Sequence, residues 1–329
     1  MTEAQRWPDA AKPGKGSGMT EKPGKQRFTP EFGDSGFKDD HAVTTPQTAN
    51  PSYRIAFQDP DFLQREELRP VRMQLELLKP EILLIEADIR STFVFYGSAR
   101  IPAPEDIDVL RRTAVPENAA VVERLIAKSH YYTEARRLAY FASRYGHECI
   151  GGRDLVVCSG GGPSIMEAAN RGADDAGAPS IGLNISLPHE QFPNAYVTPE
   201  LSFQFHYFAL RKMHFLLRAR AVAVFPGGFG TLDELIELLT LVQTGRMAPV
   251  PILLFGREFW ERVIDFEFLA SEGVISRSDL ELFRYVETAS EAWSHVCQTL
   301  RMETSIGREN GADAAADGAV AGMRPGNHE

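Results

Sequence analysis

The chain has 329 residues, of which 43% are hydrophobic and 24% charged, with a formal net charge of −10. That balance suits a globular protein with one large or two ordinary domains; it argues against a nucleic-acid partner, which needs a basic face. No apolar run is long enough to span a bilayer, so no membrane-spanning helix is expected.

The elements follow in chain order. Residues 1–52 are rich in Gly, Pro, Lys, Thr and Asp, and 303–329 in Ala, Gly, Asp and Asn. Neither stretch can bury enough apolar surface to offset ordering entropy, so both are expected to be disordered tails around a folded core at 53–302. Residues 60–89 have helical apolar spacing broken at Pro70 and Pro80 and read as leading helices, a helical extension at 53–89. STFVFYGSAR (91–100) reads as a strand and a turn, and 117–146 as helical. DLVVCSGGGPSIMEAANRGADDAG (154–177) reads as strand, glycine turn and helix, with Pro163 in the first helical turn. PSIGLNISL (179–187) is a strand, 189–200 a loop, LSFQFHYF (201–208) extended and ALRKMHFLLRAR (209–220) a helix. AVAVF (221–225) is a buried strand, followed by a glycine turn and a helix from about Thr231. A strand at 249–256, a helix at 257–273 and a last helix near 290–302 complete the core.

Strands and helices alternate. This predicts an α/β fold: a Rossmann-like, doubly wound parallel sheet with helices on both faces, in a single domain with an N-terminal helical extension. Three turns, YGSAR (96–100), SGGGPSIME (159–167) and PGGFGTLDE (226–234), then open at one sheet edge and form a glycine-lined cleft. A helix N-terminus after Gly227, Gly228 and Gly230 makes an anion site, because its first N–H groups lack intrahelical acceptors. Thr231 and Glu234 also have the spacing of a capping box, which would give them a structural role only. The P-loop and G-x-G-x-x-G patterns are absent from these turns, which favours a small phosphorylated sugar or mononucleotide over a triphosphate or redox dinucleotide.

Other residues carry two readings. Glu167 follows the second turn and is a cleft carboxylate or a solvated helix position. Arg211, His214 and Arg218 share a helix face at i, i+3 and i+7, with Lys212 adjacent, as a phosphate site or a solvated basic face. His206 and His214 are expected to be packing or surface residues, with no metal assigned. Cys149, Cys158 and Cys297 lack metal-ligand spacing. Their odd number, with no apolar leader in MTEAQRWPDAAKPGKG, is expected of a reducing, cytoplasmic compartment.

PGGFGTLDE resembles the PGGxGTxxE signature of the lonely-guy (LOG) family, also known as the "possible lysine decarboxylase" family. ALRKMH carries that family's Arg-Lys pair, and YGSAR and SGGGPSIMEAANRGA match its first two turns; the likeness covers roughly 90–300. The resemblance implies a phosphoribohydrolase that cuts the N-glycosidic bond of adenosine monophosphate (AMP) or of a cytokinin riboside 5′-monophosphate, a step of cytokinin biosynthesis. Free base and ribose 5-phosphate would be released. It implies no cofactor, no metal, and a homodimer or higher homo-oligomer. Carried over by residue, Arg211 and Glu234 would be catalytic. Gly227, Gly228, Gly230 and Thr231 would hold the 5′-phosphate, Lys212 would support the pair and Glu167 would face the ribose. Ser98, Gly160, Gly161, Gly162 and Met166 would complete the cleft. YGSAR departs from the YGSS-like turn of the shortest members, which also lack the N-terminal extension.

The residue types suit that chemistry. Glycosidic cleavage builds positive charge on the sugar, which a carboxylate can stabilise while orienting water. Two rivals stay open: a non-catalytic nucleotide- or cofactor-binding carrier of the same fold, and a pyridoxal-phosphate decarboxylase. The latter needs a Schiff-base lysine with a partner for the ring nitrogen, and Lys212 is the only lysine near a motif.

Overall fold

In a computed structural model of the chain, residues 45–149, 151–187 and 192–302 are described. The tail expectations for 1–44 and 303–329, and part of the 189–200 loop, lie outside them. By its contacts the chain divides into two units, 1–63 and 64–329. The described part of the first holds two short 3-10 turns, Pro51–Tyr53 and Ala56–Gln58, and one helical turn, α1 (Pro60–Leu63).

The second unit opens with a 3-10 turn, Glu66–Leu68, that leads into α2 (Arg69–Glu86). Pro70 lies in its first turn, where a missing N–H costs nothing. Pro80 does not break the helix as the sequence suggested; it sits inside α2, buried. The inner face of α2 is held from outside instead: Arg218 forks onto Glu81 at 2.6 and 2.7 Å, and His214 Nε2 lies 3.0 Å from Leu77 O.

Seven strands follow: β1 (Thr92–Tyr96), β2 (Val156–Ser159), β3 (Ser180–Ile185), β4 (Ser202–Phe205), β5 (Ala219–Val224), β6 (Ile252–Phe255) and β7 (Arg284–Val286). All pair in parallel, in the order β4-β3-β2-β1-β5-β6-β7. The chain winds outward from β1 to β4, then returns to β5 on the other side of β1. The strand order therefore reverses between β1 and β5, the place where such sheets bind ligands.

The helices are α3 (Ile107–Thr113), α4 (Ala119–Ile126), α5 (His130–Cys149), α6 (Ile165–Asp175), α7 (Phe208–Leu217), α8 (Phe229–Gln243), α9 (Arg257–Val263), α10 (Phe266–Ser271) and α11 (Ala289–Leu300). Successive strand residues point to opposite faces. Phe93, Phe95, Val157, Ala221, Ala223 and Phe255 join a core with α5, α6 and α11. Val94, Tyr96, Cys158, Val222, Val224 and Leu254 join a second core with α2, α7, α8 and α9. The doubly wound sheet covered on both faces is the fold expected from the sequence.

Boundaries moved for local reasons. The helix read over 257–273 divides because the Asp265 carboxylate accepts from Phe268 N–H at 2.8 Å and caps a new start. Residues 117–146 divide at 127–129, where Ser129 Oγ donates to Pro102 O. β7 is a three-residue edge strand, too short to show period-2 patterning.

Candidate functional site

The three turns meet as expected, and Ser98 is the joint. Its N–H donates to Pro226 O at 3.1 Å, which ties the β1 turn to the β5 turn. Its carbonyl accepts from Ile165 N–H at 3.3 Å, which ties the same turn to the start of α6. Its hydroxyl accepts from Arg100 N–H at 3.0 Å. Gly97 must be glycine, since a Cβ there would lie 2.5 Å from the Ile165 side chain.

After β5 the chain enters α8 at Phe229, two residues before the expected start, with Gly228 at the cap. The first intrahelical bond runs from Leu232 N–H to Gly228 O. The N–H groups of residues 229–231 therefore have no intrahelical acceptor at the positive end of a 15-residue helix. Thr231 is inside this first turn and buried, its hydroxyl packed where a Gly227 Cβ would be, at 2.1 Å. No capping box forms: Thr231 is not the cap residue, and Glu234 turns elsewhere.

Glu234 turns to Arg211. Arg211 Nη1 donates to Glu234 Oε1 at 3.1 Å, and Arg211 Nε donates to Leu183 O at 2.6 Å, so β3, α7 and α8 converge on one guanidinium. Both side chains are nearly enclosed, at 11% and 12% exposure. The guanidinium stacks over Phe215, 4.9 Å from its ring centre. Its Nη2 also lies where a Gly160 Cβ would stand, together with the Met166 sulfur. Gly160, Met166, Arg211 and Glu234 thus form one cluster. Burial pushes the Glu234 carboxyl up to about 7, against the lowering pull of Arg211.

Beneath the pair lie two residues to which the sequence reading gave no role. Tyr96, at the end of β1, is fully enclosed, and burial, reinforced by the Glu234 charge, holds its hydroxyl well above the ordinary phenol range. Burial likewise keeps the Cys158 thiol protonated, and Arg211 opposes this. Neither type stands out in a sequence, because both sit on apolar strands and read as core.

The other expected residues divide. Gly161 has φ +70, and Ser159 Oγ accepts its N–H at 3.0 Å. Asn194 Nδ2 donates to Gly161 O and Gly162 O at 3.1 and 3.0 Å and to Asn170 Oδ1 at 2.9 Å, so one amide fixes the second turn. Ser164 caps α6 at φ 67, rare for a non-glycine, and its hydroxyl donates to Ile101 O at 2.6 Å. Pro163 therefore precedes the helix rather than opening it. Glu167 accepts from the Tyr132 hydroxyl at 2.8 Å. Arg171 Nη1 reaches that hydroxyl at 3.4 Å and also pairs with Glu105.

Lys212 does not contact the catalytic candidates; it bonds Asp233 at 3.1 Å and Glu237 at 3.3 Å. Burial works against its charge, but the bond to Asp233 and the attraction of Glu237 outweigh this and raise its pKa. His214 and Arg218 are neither a phosphate site nor a solvated face. They lie against α2, as described above. A cavity of about 720 Å³, lined in part by Pro251, Arg257, Tyr285 and His295, contains none of the motif residues.

Among the described residues, no helix is long and apolar enough to cross a membrane.

The model of the family described as "possible lysine decarboxylase" matches residues 166–296, which bears out the resemblance read from the motifs. A pyrimidine/purine nucleotide 5′-monophosphate nucleosidase of Escherichia coli (strain K12) is 24% identical over 189 residues, 53% of this chain and 39% of that protein. The chain thus spans about two-fifths of that relative's length. The cytokinin riboside 5′-monophosphate phosphoribohydrolase LOG3 of Arabidopsis thaliana is 27% identical over 149 residues, 44% of this chain and 68% of that protein. Among solved structures, TM1055 aligns at a TM-score of 0.40 with 17% identity, covering 63% of this chain and 99% of that one. A molybdenum-cofactor carrier protein from Chlamydomonas reinhardtii aligns at 0.40 with 16% identity, covering 64% and 98%.

Proposed function

We propose that the chain is a phosphoribohydrolase that cleaves the N-glycosidic bond of a purine nucleoside 5′-monophosphate, AMP or a cytokinin riboside monophosphate, releasing the base and ribose 5-phosphate. The observation that carries this reading is the buried Arg211–Glu234 pair above Gly160, beside a helix N-terminus with unbonded N–H groups. A carboxylate held near neutrality in a dry site is suited to stabilise positive charge on a sugar ring and to orient water. The α8 N-terminus and the turn 226–231 would take the 5′-phosphate, and binding there would hold the sugar in a reactive pose. Arg211, fixed by Leu183 O and Glu234, would neutralise charge on the leaving base or the phosphate. Tyr132 would hold Glu167 at the ribose side.

The names of the nucleosidase and phosphoribohydrolase relatives support this substrate class. No cofactor enters the scheme. The hydrolase unit would occupy 53–302 within tails at 1–52 and 303–329, and would work in the cytoplasm as a homodimer or higher homo-oligomer.

The carrier alternative shares the cleft but needs no Arg211–Glu234 pair. A decarboxylase is disfavoured by Lys212: a Schiff-base lysine needs a lowered pKa, and two carboxylates raise this one. The deciding experiment incubates the protein with a panel of nucleoside monophosphates and measures free base by chromatography. Release of base from a purine monophosphate supports the hydrolase, whereas tight nucleotide binding without release would leave the carrier.

A further inference from the structure

Glu76 lies on α2, far in sequence from every motif turn, and is half-buried. Its Oε1 accepts two backbone N–H groups of the β4–α7 connection, that of Tyr207 at 3.0 Å and that of His206. Tyr207 is the cap residue of α7, and its own side chain makes no capping bond. The Tyr207 carbonyl in turn accepts from Arg211 N–H at 3.1 Å, the bond that opens the helix. One carboxylate oxygen of α2 is thus linked to the backbone of Arg211 through a single residue.

The other anchors between the two helices lie further along α7. His214 Nε2 is 3.0 Å from Leu77 O, and Arg218 forks onto Glu81. Arg211 sits between these anchors and the Glu76 contact. Without Glu76, the N–H groups of 206 and 207 lose their acceptor, and the start of α7 can pivot about His214. The Arg211 side chain tolerates little movement, because Nε is held by Leu183 O on β3 at 2.6 Å while Nη1 reaches Glu234 on α8 at 3.1 Å. Such bonds weaken steeply as distance and angle depart from their optimum. A carboxylate also suits the positive end of a helix, but that attraction stabilises α7 wherever the helix begins. The two directed bonds fix where it begins.

We propose that Glu76 is a positioning residue: by accepting the His206 and Tyr207 N–H groups it sets the start of α7, and through it the reach of Arg211 to Glu234. Its consequence for turnover rests on the hydrolase reading above; its consequence for the Arg211–Glu234 pair does not.

The test is a carbon-13 NMR titration of the full chain labelled at the glutamate carboxyl carbons, with Glu234 assigned through Glu234→Gln. Steady-state release of base from AMP is measured beside it. Burial raises the Glu234 midpoint, and of the charged groups facing it Arg211 and Lys212 lower it and Asp233 raises it. Loss of the Arg211 bond therefore moves the midpoint upward. In Glu76→Ala it is expected to rise by at least about half a pH unit, with kcat roughly 10- to 10²-fold lower. KM should change less than about threefold, because the turn at 226–231 is not touched. Glu76→Gln keeps an acceptor oxygen and is expected to bring both values back near wild type. Glu76→Asp moves the acceptor without removing it and is expected to fold normally with an intermediate midpoint, so a folding defect in the Ala variant does not decide the matter. Glu86→Gln removes an exposed carboxylate from the far end of the same helix and is expected to change neither value. A Glu234 midpoint unchanged in both Glu76→Ala and Glu76→Asp overturns the proposal, whatever their melting temperatures, and leaves Glu76 a helix cap. So does a Gln variant as perturbed as the Ala variant. A wild type that releases no base, with a Glu234 midpoint that still moves in Glu76→Ala, supports the positioning and overturns the hydrolase reading instead.

Discussion

Arg211 Nη1 donates to Glu234 Oε1 across 3.1 Å, and the two groups are not equally comfortable there. Arg211 keeps a second partner in Leu183 O and a ring beneath it. Glu234 is desolvated enough that its carboxyl rises to about 7 despite the facing guanidinium.

Glu234→Gln is expected to lower turnover by roughly 10²–10⁴-fold while the fold is kept or strengthened. The sign follows from linkage. A carboxyl whose folded pKa is raised favours the folded state most when protonated, below its usual value near 4.5. That contribution is lost as pH rises through about 7. Neutral Gln avoids the loss, so at pH 8 the variant should melt a few degrees above wild type, and at pH 5 the gain should vanish. Thermal melts at both pH values, beside turnover, check this. Lower stability at pH 8 with normal turnover would make Glu234 a structural partner of Arg211.

Arg211→Ala is expected to cost both activity and stability. Truncation leaves a cavity over Phe215 and removes the bond to Leu183 O, together worth about 2–4 kcal/mol. From sequence alone a cleft-facing arginine would cost little stability, but this one is enclosed. Denaturant unfolding of the variant measures the difference.

The rate against pH should carry the Glu234 titration. With an ionised carboxylate required, kcat/KM of the free enzyme should rise with pH through a midpoint near 7 and flatten above it. A profile flat from pH 5 to 8 would remove Glu234 from the chemistry.

The glycine turns and their common edge were legible because each is a local pattern placed by strand order, whereas the Arg211–Glu234 pair came only from the family resemblance. Arg211 and Glu234 are 23 residues apart, and parallel strand–helix units bring the starts of α7 and α8 together. Lys212 bonds Asp233 and Glu237 rather than Glu234 itself, because adjacency in sequence turns a side chain about 100° around a helix. Asn194, Tyr96 and Tyr132 escaped notice because their roles exist only in tertiary contacts: one amide 32 residues from the carbonyl it fixes, and two tyrosines that read as core. Pro80 was read as a helix break because the packing of α2 on α7 cannot be seen from α2 alone.

Asn194→Ala should loosen the second turn. The amide bonds two glycine carbonyls and the Asn170 side chain; Gly161 O keeps the Asn194 backbone N–H at 2.8 Å and Asn170 Oδ1 keeps the Ser159 hydroxyl at 2.7 Å, so the loss falls on Gly162 O. A destabilisation of about 1–3 kcal/mol is expected, with a higher KM and a smaller change in kcat, since the turn shapes the cleft without supplying a reacting group. Urea unfolding with steady-state kinetics separates the two effects, and an unchanged KM would show that the second turn does not shape substrate binding.

The 5′-phosphate should be required. The α8 N-terminus offers N–H groups at residues 229–231 without intrahelical acceptors, and Thr231 is packed tightly against Gly227, so the turn is shaped by its backbone. Charge-assisted hydrogen bonds to a phosphate contribute roughly 1.5–3 kcal/mol each. Losing two would cost a factor of about 10² or more, at about 1.4 kcal/mol per tenfold. Because that binding energy also positions the sugar, the loss should appear in turnover as well as in binding. Adenosine should therefore be a far poorer substrate than AMP, and adenosine diphosphate and triphosphate should be poor if the turn encloses one phosphate. Gly228→Ala has open space at its Cβ and should be mild, whereas Gly227→Ala meets the Thr231 hydroxyl and should abolish the preference for AMP by displacing the helix start. Initial rates of adenine release from equal concentrations of nucleoside and monophosphate give the answer. Comparable specificity constants would mean that the turn before α8 holds no phosphate, and the hydrolase reading would lose its substrate.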